Sequence, residues 1–177
     1  MITPSLQTER ILLRPLSVAD AEAIFNNWAA DPNVTKHMRW NAHESIDVTL
    51  EWLTSEDADI ANEKSYQWVF VHRGNNEVFG SGGLIYNEEH GMFEIGYVIM
   101  KKHWNQGLTT EASRAIVAFA TCELKQQKLH ARHAKENPAS GRVMEKVGFV
   151  YLRDGQYASF DNKRIFECRE YILTADA

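Results

Sequence analysis

Two cysteines, no long apolar run and fewer bases than acids are the first features of this 177-residue chain, and each shortage excludes something. Cys122 and Cys168 lie far apart and outside any CxxC pattern, which argues against a disulfide framework or a cysteine zinc site. No apolar run approaches the roughly 20 residues of a membrane-spanning helix, so no membrane partner is expected. The opening Met-Ile-Thr-Pro-Ser lacks the basic start and apolar core of a signal peptide, which makes the cytoplasm the expected location. A net charge of −5 speaks against a nucleic-acid-binding face, which needs clustered Lys and Arg. The surplus acids mildly favour a cationic partner instead.

What is present is the composition of one ordinary globular domain, 44% hydrophobic and 24% charged, with no repeat, linker or low-complexity stretch across residues 1–177. Arg10 to Pro15 reads as an edge or first strand closed by proline. Ser17 caps a helix with Ala21, Ile24, Phe25 and Trp28 at helical spacing, ended by Asp31-Pro32. The segment between Asn33 and Asn41 has no clear period and reads as a loop or short helix, and its Met38 and Trp40 either line a pocket or cover the core. A second helix starts at Ser45 with Ile46, Leu50 and Leu53 on one side, and its acidic run through Asp59 is expected to face solvent. From Tyr66 the period becomes two, giving a hairpin of Tyr66–His72 with Val78–Tyr86, then a strand from Met92 to Met100. The glycines at 80, 82 and 83 predict a bulge or a close backbone approach. Leu129 to Lys135 is another strand, and a final hairpin runs from Tyr151 to Leu173.

The stretch from Phe93 to Ala112 predicts a strand, a glycine turn and a long helix whose small-residue face, Ala112, Ala115, Ile116, Phe119 and Ala120, lies close to a sheet. The free amides of a helix's first turn point outward at the positive end of its dipole, so Asn105, Gln106, Gly107, Leu108, Thr109 and Thr110 can wrap a phosphate without a cationic side chain. Asn137 caps a short helix with Pro138 at its first position and Gly148 at its left-handed stop. His130 and His133 are an odd number of positions apart on a strand and so face opposite sides; no metal site is expected.

Three segments, Glu94-Ile-Gly-Tyr-Val-Ile, Trp104-Asn-Gln-Gly-Leu-Thr-Thr-Glu-Ala112 and Asn137-Pro-Ala-Ser-Gly-Arg-Val-Met-Glu-Lys-Val-Gly-Phe149, together resemble the GCN5-related N-acetyltransferases in order and spacing. The opening Leu6-Gln-Thr-Glu-Arg-Ile-Leu-Leu-Arg-Pro15 is most similar to the branch that acetylates ribosomal-protein N-termini (RimJ/RimL type). The resemblance implies an α/β (α+β) fold, a mixed and mostly antiparallel seven-stranded sheet with a V-shaped splay, flanked by about four helices. It also implies acetyl-CoA as co-substrate without a metal. Val98 and Ile99 would pair their backbone with the pantetheine arm, residues 105–110 would hold the pyrophosphate, and Asn137 would bond the pantetheine. Departures are Trp104 and Thr109 at the two ends of the glycine signature, and Met144 where many relatives carry a tyrosine.

Acetyl transfer to an amine needs a neutral amine, a held carbonyl and a protonated thiolate. Glu94 is the candidate base, its pKa expected to rise on desolvation; the alternative is a cross-strand salt bridge. Ser140 is the candidate acid in place of the missing tyrosine, or else an ordinary helix-surface serine. The implied acceptor is a peptide N-terminus, a polyamine or an antibiotic-like amine, and the implied assembly a monomer or homodimer. A binding module for acyl-CoA without turnover is the second class of function that Met144 leaves open.

Overall fold

The computed structural model describes residues 3–61 and 63–175, without the side chains of residues 57–61. In chain order the elements are β1 (Leu6–Gln7), β2 (Ile11–Pro15), α1 (Ala21–Ile24) continued by a π turn (Phe25–Ala29), α2 (Pro32–Thr35), α3 (Ile46–Ala61), β3 (Ser65–His72), β4 (Glu77–Asn87) and β5 (Met92–Ile99). Then follow α4 (Leu108–Ala118) with its own π turn (Phe119–Glu123), β6 (Lys128–Ala134), α5 (Pro138–Val147), β7 (Val150–Ala158) and β8 (Ile165–Thr174). All eight strands among the described residues join one sheet in the order β1-β2-β3-β4-β5-β6-β8-β7, antiparallel except between β5 and β6.

The expected seven strands become eight because Leu6 and Gln7 fold back on Leu13 and Leu12, a two-residue pairing too short to leave a period in sequence. The fifth helix, also uncounted, is the single turn Pro32–Thr35, which Asp31 caps by accepting from the Asn33 amide. Asp31-Pro32 thus ends one helix and starts another.

Both faces of the sheet are covered, and β3 shows why its period-two pattern contains few polar residues. Tyr66, Trp68 and Phe70 pack beneath α4, α5 and the α4 π turn, while Val69 and Val71 pack beneath Ile24, Trp28 and Leu53 of the N-terminal helices. Ile46 departs from its expected place: it is exposed, and Thr49 is buried on the inner side of α3, where its hydroxyl meets the His43 ring. Of the acidic run, Glu56 accepts from Trp52 and Ser65 instead of facing solvent alone, and the side chains beyond it lie outside the described residues.

Two distant segments meet at the start of α4. One Glu111 oxygen accepts from the Thr8 hydroxyl (2.6 Å) and the Arg10 amide (2.9 Å), the other from Arg10 Nε (2.7 Å), and Arg10 also reaches the Gln106 carbonyl (3.1 Å). The β1–β2 turn is thereby tied to the glycine turn. Losing these charge-assisted bonds from a side chain only 18% exposed should cost about 1–3 kcal/mol. Glu111→Ala is therefore expected to lower the melting temperature by roughly 2–10 °C, measured by thermal unfolding without ligand.

Candidate functional site

β5 and β6 pair only at Phe93 with Leu129 and at Glu94 with His130. Beyond that point β6 continues along β8 and β5 along β4, so the two strands part. The side of β5 from Ile95 to Ile99 that faces the gap has no strand partner, and unpaired strand groups of this kind are a template for an extended ligand. The splay is where the sequence resemblance puts it.

On one side of the gap is a cleft of about 540 Å³ lined by Val98, Ile99, Asn105, Gly107, Thr109, Thr110, Asn137 and Ser140, among others. Gly107 has φ +77° and Asn105 φ +61°, so the turn runs through two left-handed residues before α4 begins at Leu108. Glycine takes such a φ without strain, and no side chain caps the first-turn amides at Gly107, although Arg10 Nη2 stands 3.7 Å from where a Cβ would be. Leu108 and Gln106 stand apart from the other predicted contacts. Leu108 is buried in the main core, and the Gln106 side chain turns back to the Lys102 carbonyl.

The strand residues also divide differently from expectation. The Val98 carbonyl points to β4, where a Cβ on Gly80 would come within 2.5 Å of it, and the Met100 amide donates to Phe79 on the same side. By the alternation of an antiparallel ladder, Tyr97 and Ile99 then face the gap. The Ile99 carbonyl already accepts from the Trp104 indole (3.1 Å). Trp104, the departure from the glycine signature, thus occupies one of the acceptors that were expected to pair a ligand.

On the other side lies a cavity of about 660 Å³ between Glu94, Arg132, the segment His37–His43 and the tip of the β7–β8 hairpin. Met38 and Trp40 line it, and Trp40 also packs against the second core, so for Trp40 both sequence alternatives hold at once while Met38 takes the pocket side. Arg164 fixes this wall by donating to the Lys36, Met38 and Trp40 carbonyls, while the Phe160 amide donates to the Arg39 carbonyl (2.7 Å). Arg39 stacks on Phe160 at 4.5 Å, and burial and the nearby Arg132 charge lower its pKa.

Glu94 is held by three neighbours. Arg132 Nε donates to Oε1 (3.0 Å), Asn87 donates to Oε2 (2.9 Å), and His130 Nδ1 lies 3.2 Å from Oε2. Burial, the largest single influence, pushes its pKa up as expected, but the bond from His130, the Arg132 charge and the bond from Asn87 outweigh it and leave the carboxyl at about 2. The expected rise is therefore reversed, and the salt-bridge alternative describes the geometry. A folded pKa below the unfolded value gives stability that is complete above about pH 4.5 and lost as pH falls towards about 2. Glu94→Gln should accordingly flatten the acid limb of stability between those values, read from denaturant midpoints against pH.

Ser140, in the first turn of α5, lines both cavities, and the Tyr97 hydroxyl lies 3.0 Å from its Oγ and donates to its carbonyl at 3.0 Å. Burial pushes the Tyr97 phenol above its ordinary pKa, more than the bond to Ser140 lowers it, so the group is a neutral O–H donor at working pH. Sequence reading missed Tyr97, because strand alternation puts it on the face opposite Glu94; only the splay lets a group on that face reach the gap. Met144 is buried in the core and carries no proton to give. Asn137 Oδ1 accepts from the Ser140 amide (3.4 Å), as a helix cap should.

The family model for the acetyltransferase (GNAT) domain matches residues 10–150. A Bacillus subtilis protein called uncharacterized N-acetyltransferase YoaA is 30% identical over 147 residues, 82% of each chain. Among solved structures, a GNAT-family acetyltransferase from Bacillus anthracis superposes with a TM-score of 0.81 at 24% identity, covering 96% of this chain and 98% of that one. The microcin C7 self-immunity acetyltransferase MccE, solved with acetyl-CoA and AMP, reaches 0.83 at 17% identity, covering 95% and 94%.

Proposed function

Since this chain belongs to the GNAT acetyltransferase family and is an acetyltransferase, we propose that it carries the acetyl group of acetyl-CoA directly to a primary amine within a ternary complex. One observation carries the reading. The cleft with the glycine turn and the cavity with Glu94 share a wall made of His37, Met38, Tyr97, Val98, Asn137 and Ser140, so a thioester lying in one meets an amine lying in the other. MccE was solved with acetyl-CoA, which supports the same donor here.

In this reading the pyrophosphate sits on the free amides around Gly107, and the pantetheine arm runs along the open side of β5 at Tyr97 and the Ile99 amide. Ser140 donates to the departing sulfur, and the single Tyr97 O–H turns from the Ser140 carbonyl to Ser140 Oγ, also 3.0 Å away, to replace that proton; the pair stands in for the proton donor absent at Met144. Glu94 has about one acceptor position left after its three bonds and takes the acceptor's N–H, orienting the nitrogen. With a carboxyl near 2 it is too weak a base to drive deprotonation, so the reaction draws on the neutral fraction of the amine. The rate per acceptor encounter should then climb about tenfold per pH unit below the amine's own pKa, in the wild type and in Glu94→Gln alike.

The acceptor cavity has the size of small-molecule sites. A small amine or the first residues of a peptide fit it, and the N-terminal segment similar to the ribosomal-protein branch favours the peptide. Release of free thiol from acetyl-CoA over a panel of alanine- and serine-terminated peptides, spermidine and an aminoglycoside tests this. Turnover with one class assigns the acceptor. Saturable acetyl-CoA binding with no thiol release from any amine would make the protein a binding module and overturn the proposal.

A further inference from the structure

Beyond the acetyl-transfer site, the same sheet face carries a group of ligating atoms that acetyl transfer does not use. A His90 nitrogen, a His130 nitrogen and a Glu170 carboxylate oxygen lie within 4.8 Å of one another. Register explains how two of them meet: His130 pairs with Ile172, so Glu170, two residues along β8, is its diagonal neighbour on the same face. His90 comes from the β4–β5 turn, where Asn87 accepts its amide, and its ring lies over that of His130 with centroids 4.2 Å apart. The odd spacing of His130 and His133 holds, since His133 packs away from this face against Gly141 and Tyr171. It says nothing about His90, which reaches the site from another element.

Two further facts turn proximity into a site. His90 Nε2 and His130 Nε2 are both buried with no hydrogen-bond partner, although His130 is only 2% exposed. A buried imidazole nitrogen without a partner is costly, and two on rings whose centroids are 4.2 Å apart call for a shared one. His130 Nε2 also stands 3.6 Å from Glu170 Oε2, too long for a hydrogen bond. It is close to the roughly 3.3–3.5 Å that separates two ligands at about 2.0–2.1 Å on one tetrahedral ion. We propose that His90, His130 and Glu170 bind one borderline divalent transition ion of the zinc class, with a fourth position left to water. Two imidazoles and one carboxylate suit such an ion and not magnesium or calcium, which take oxygen ligands.

The site reaches the acetyl-transfer cavity through one ring. An ion on His130 Nε2 leaves Nδ1–H to donate to Glu94 Oε2, the carboxylate–histidine–metal chain that orients metal ligands. The ion has a competitor in Arg153, which is largely exposed and donates to Glu170 Oε2 at 2.7 Å. Arg132 stays on Glu94 and takes no part.

Untagged, chelator-treated full-length protein carrying Cys122→Ser, which removes the exposed thiol as a stray ligand, should bind one equivalent of Zn²⁺ by calorimetry and one of Co²⁺ with the visible bands of a low-coordinate ion. His90→Ala, a change at a half-exposed turn, should weaken both by at least about 100-fold, more than the 10–100-fold typical of an outer partner. Arg153→Ala should tighten them. Absence of saturable binding in the parent protein, or Co²⁺ bands unchanged in His90→Ala, overturns the proposal. Neither readout depends on acetyl transfer, so failure here leaves the acetyltransferase reading untouched.

Discussion

Replacing Gly107 with glutamate is expected to abolish the stabilisation that acetyl-CoA gives the protein. A ligand present at about 100 times its dissociation constant stabilises the folded state by about 2.7 kcal/mol, roughly 5–10 °C for a domain of this size. In the proposed complex the first turn of α4 gives the pyrophosphate its amides and the positive end of the helix dipole, and no side chain caps that end, where Gly107 has a φ of +77°. A carboxylate there adds a negative charge where the ligand must bring its own. Because any side chain at that φ is strained, Gly107→Ala serves as the control: both variants lose some intrinsic stability, but alanine should keep part of the ligand-induced shift and glutamate none. An undiminished shift in Gly107→Glu would place the anion site elsewhere.

The second large effect is expected in turnover. Ser140→Ala should lower kcat by roughly ten- to a hundred-fold with little change in the KM for the amine, because in the proposed mechanism the hydroxyl acts on the leaving sulfur and not on the acceptor. Tyr97→Phe should lose about as much, since its phenol meets Ser140 Oγ at 3.0 Å. If the two form one relay, the double variant should be no slower than the worse single one. Multiplying losses would separate the two groups, and full rate in both single variants would mean that the thiolate leaves unaided, with positioning alone carrying catalysis.

How much of this was legible beforehand depends on whether a feature is local. The glycine turn, the Asn137 cap and the Gly148 stop follow from backbone preferences of single residues, and the observed φ values of +77° at Gly107 and +110° at Gly148 bear those local rules out. The two-residue strand at Leu6 was missed, and the one-turn helix at Pro32 stayed an open alternative to a loop, because elements that short leave no period to detect.

The pairing of Thr8 and Arg10 with Glu111 joins two motifs about a hundred residues apart, and no spacing rule connects them. Glu94 is the sharpest case. Its alternation along β5 correctly predicts a partly buried carboxylate, but the sign of its pKa shift depends on Asn87, His130 and Arg132, which only sheet register brings to it. Tyr97 was hidden for the opposite reason, because its reach to Ser140 depends on two strands parting. The sequence by itself thus determined the elements with a strong local period or cap and, through its three motifs, the family. The tertiary structure alone decided which polar side chains face one another, because the energy of a buried charge or hydroxyl is set by partners within a few ångströms, and these come from other strands and helices.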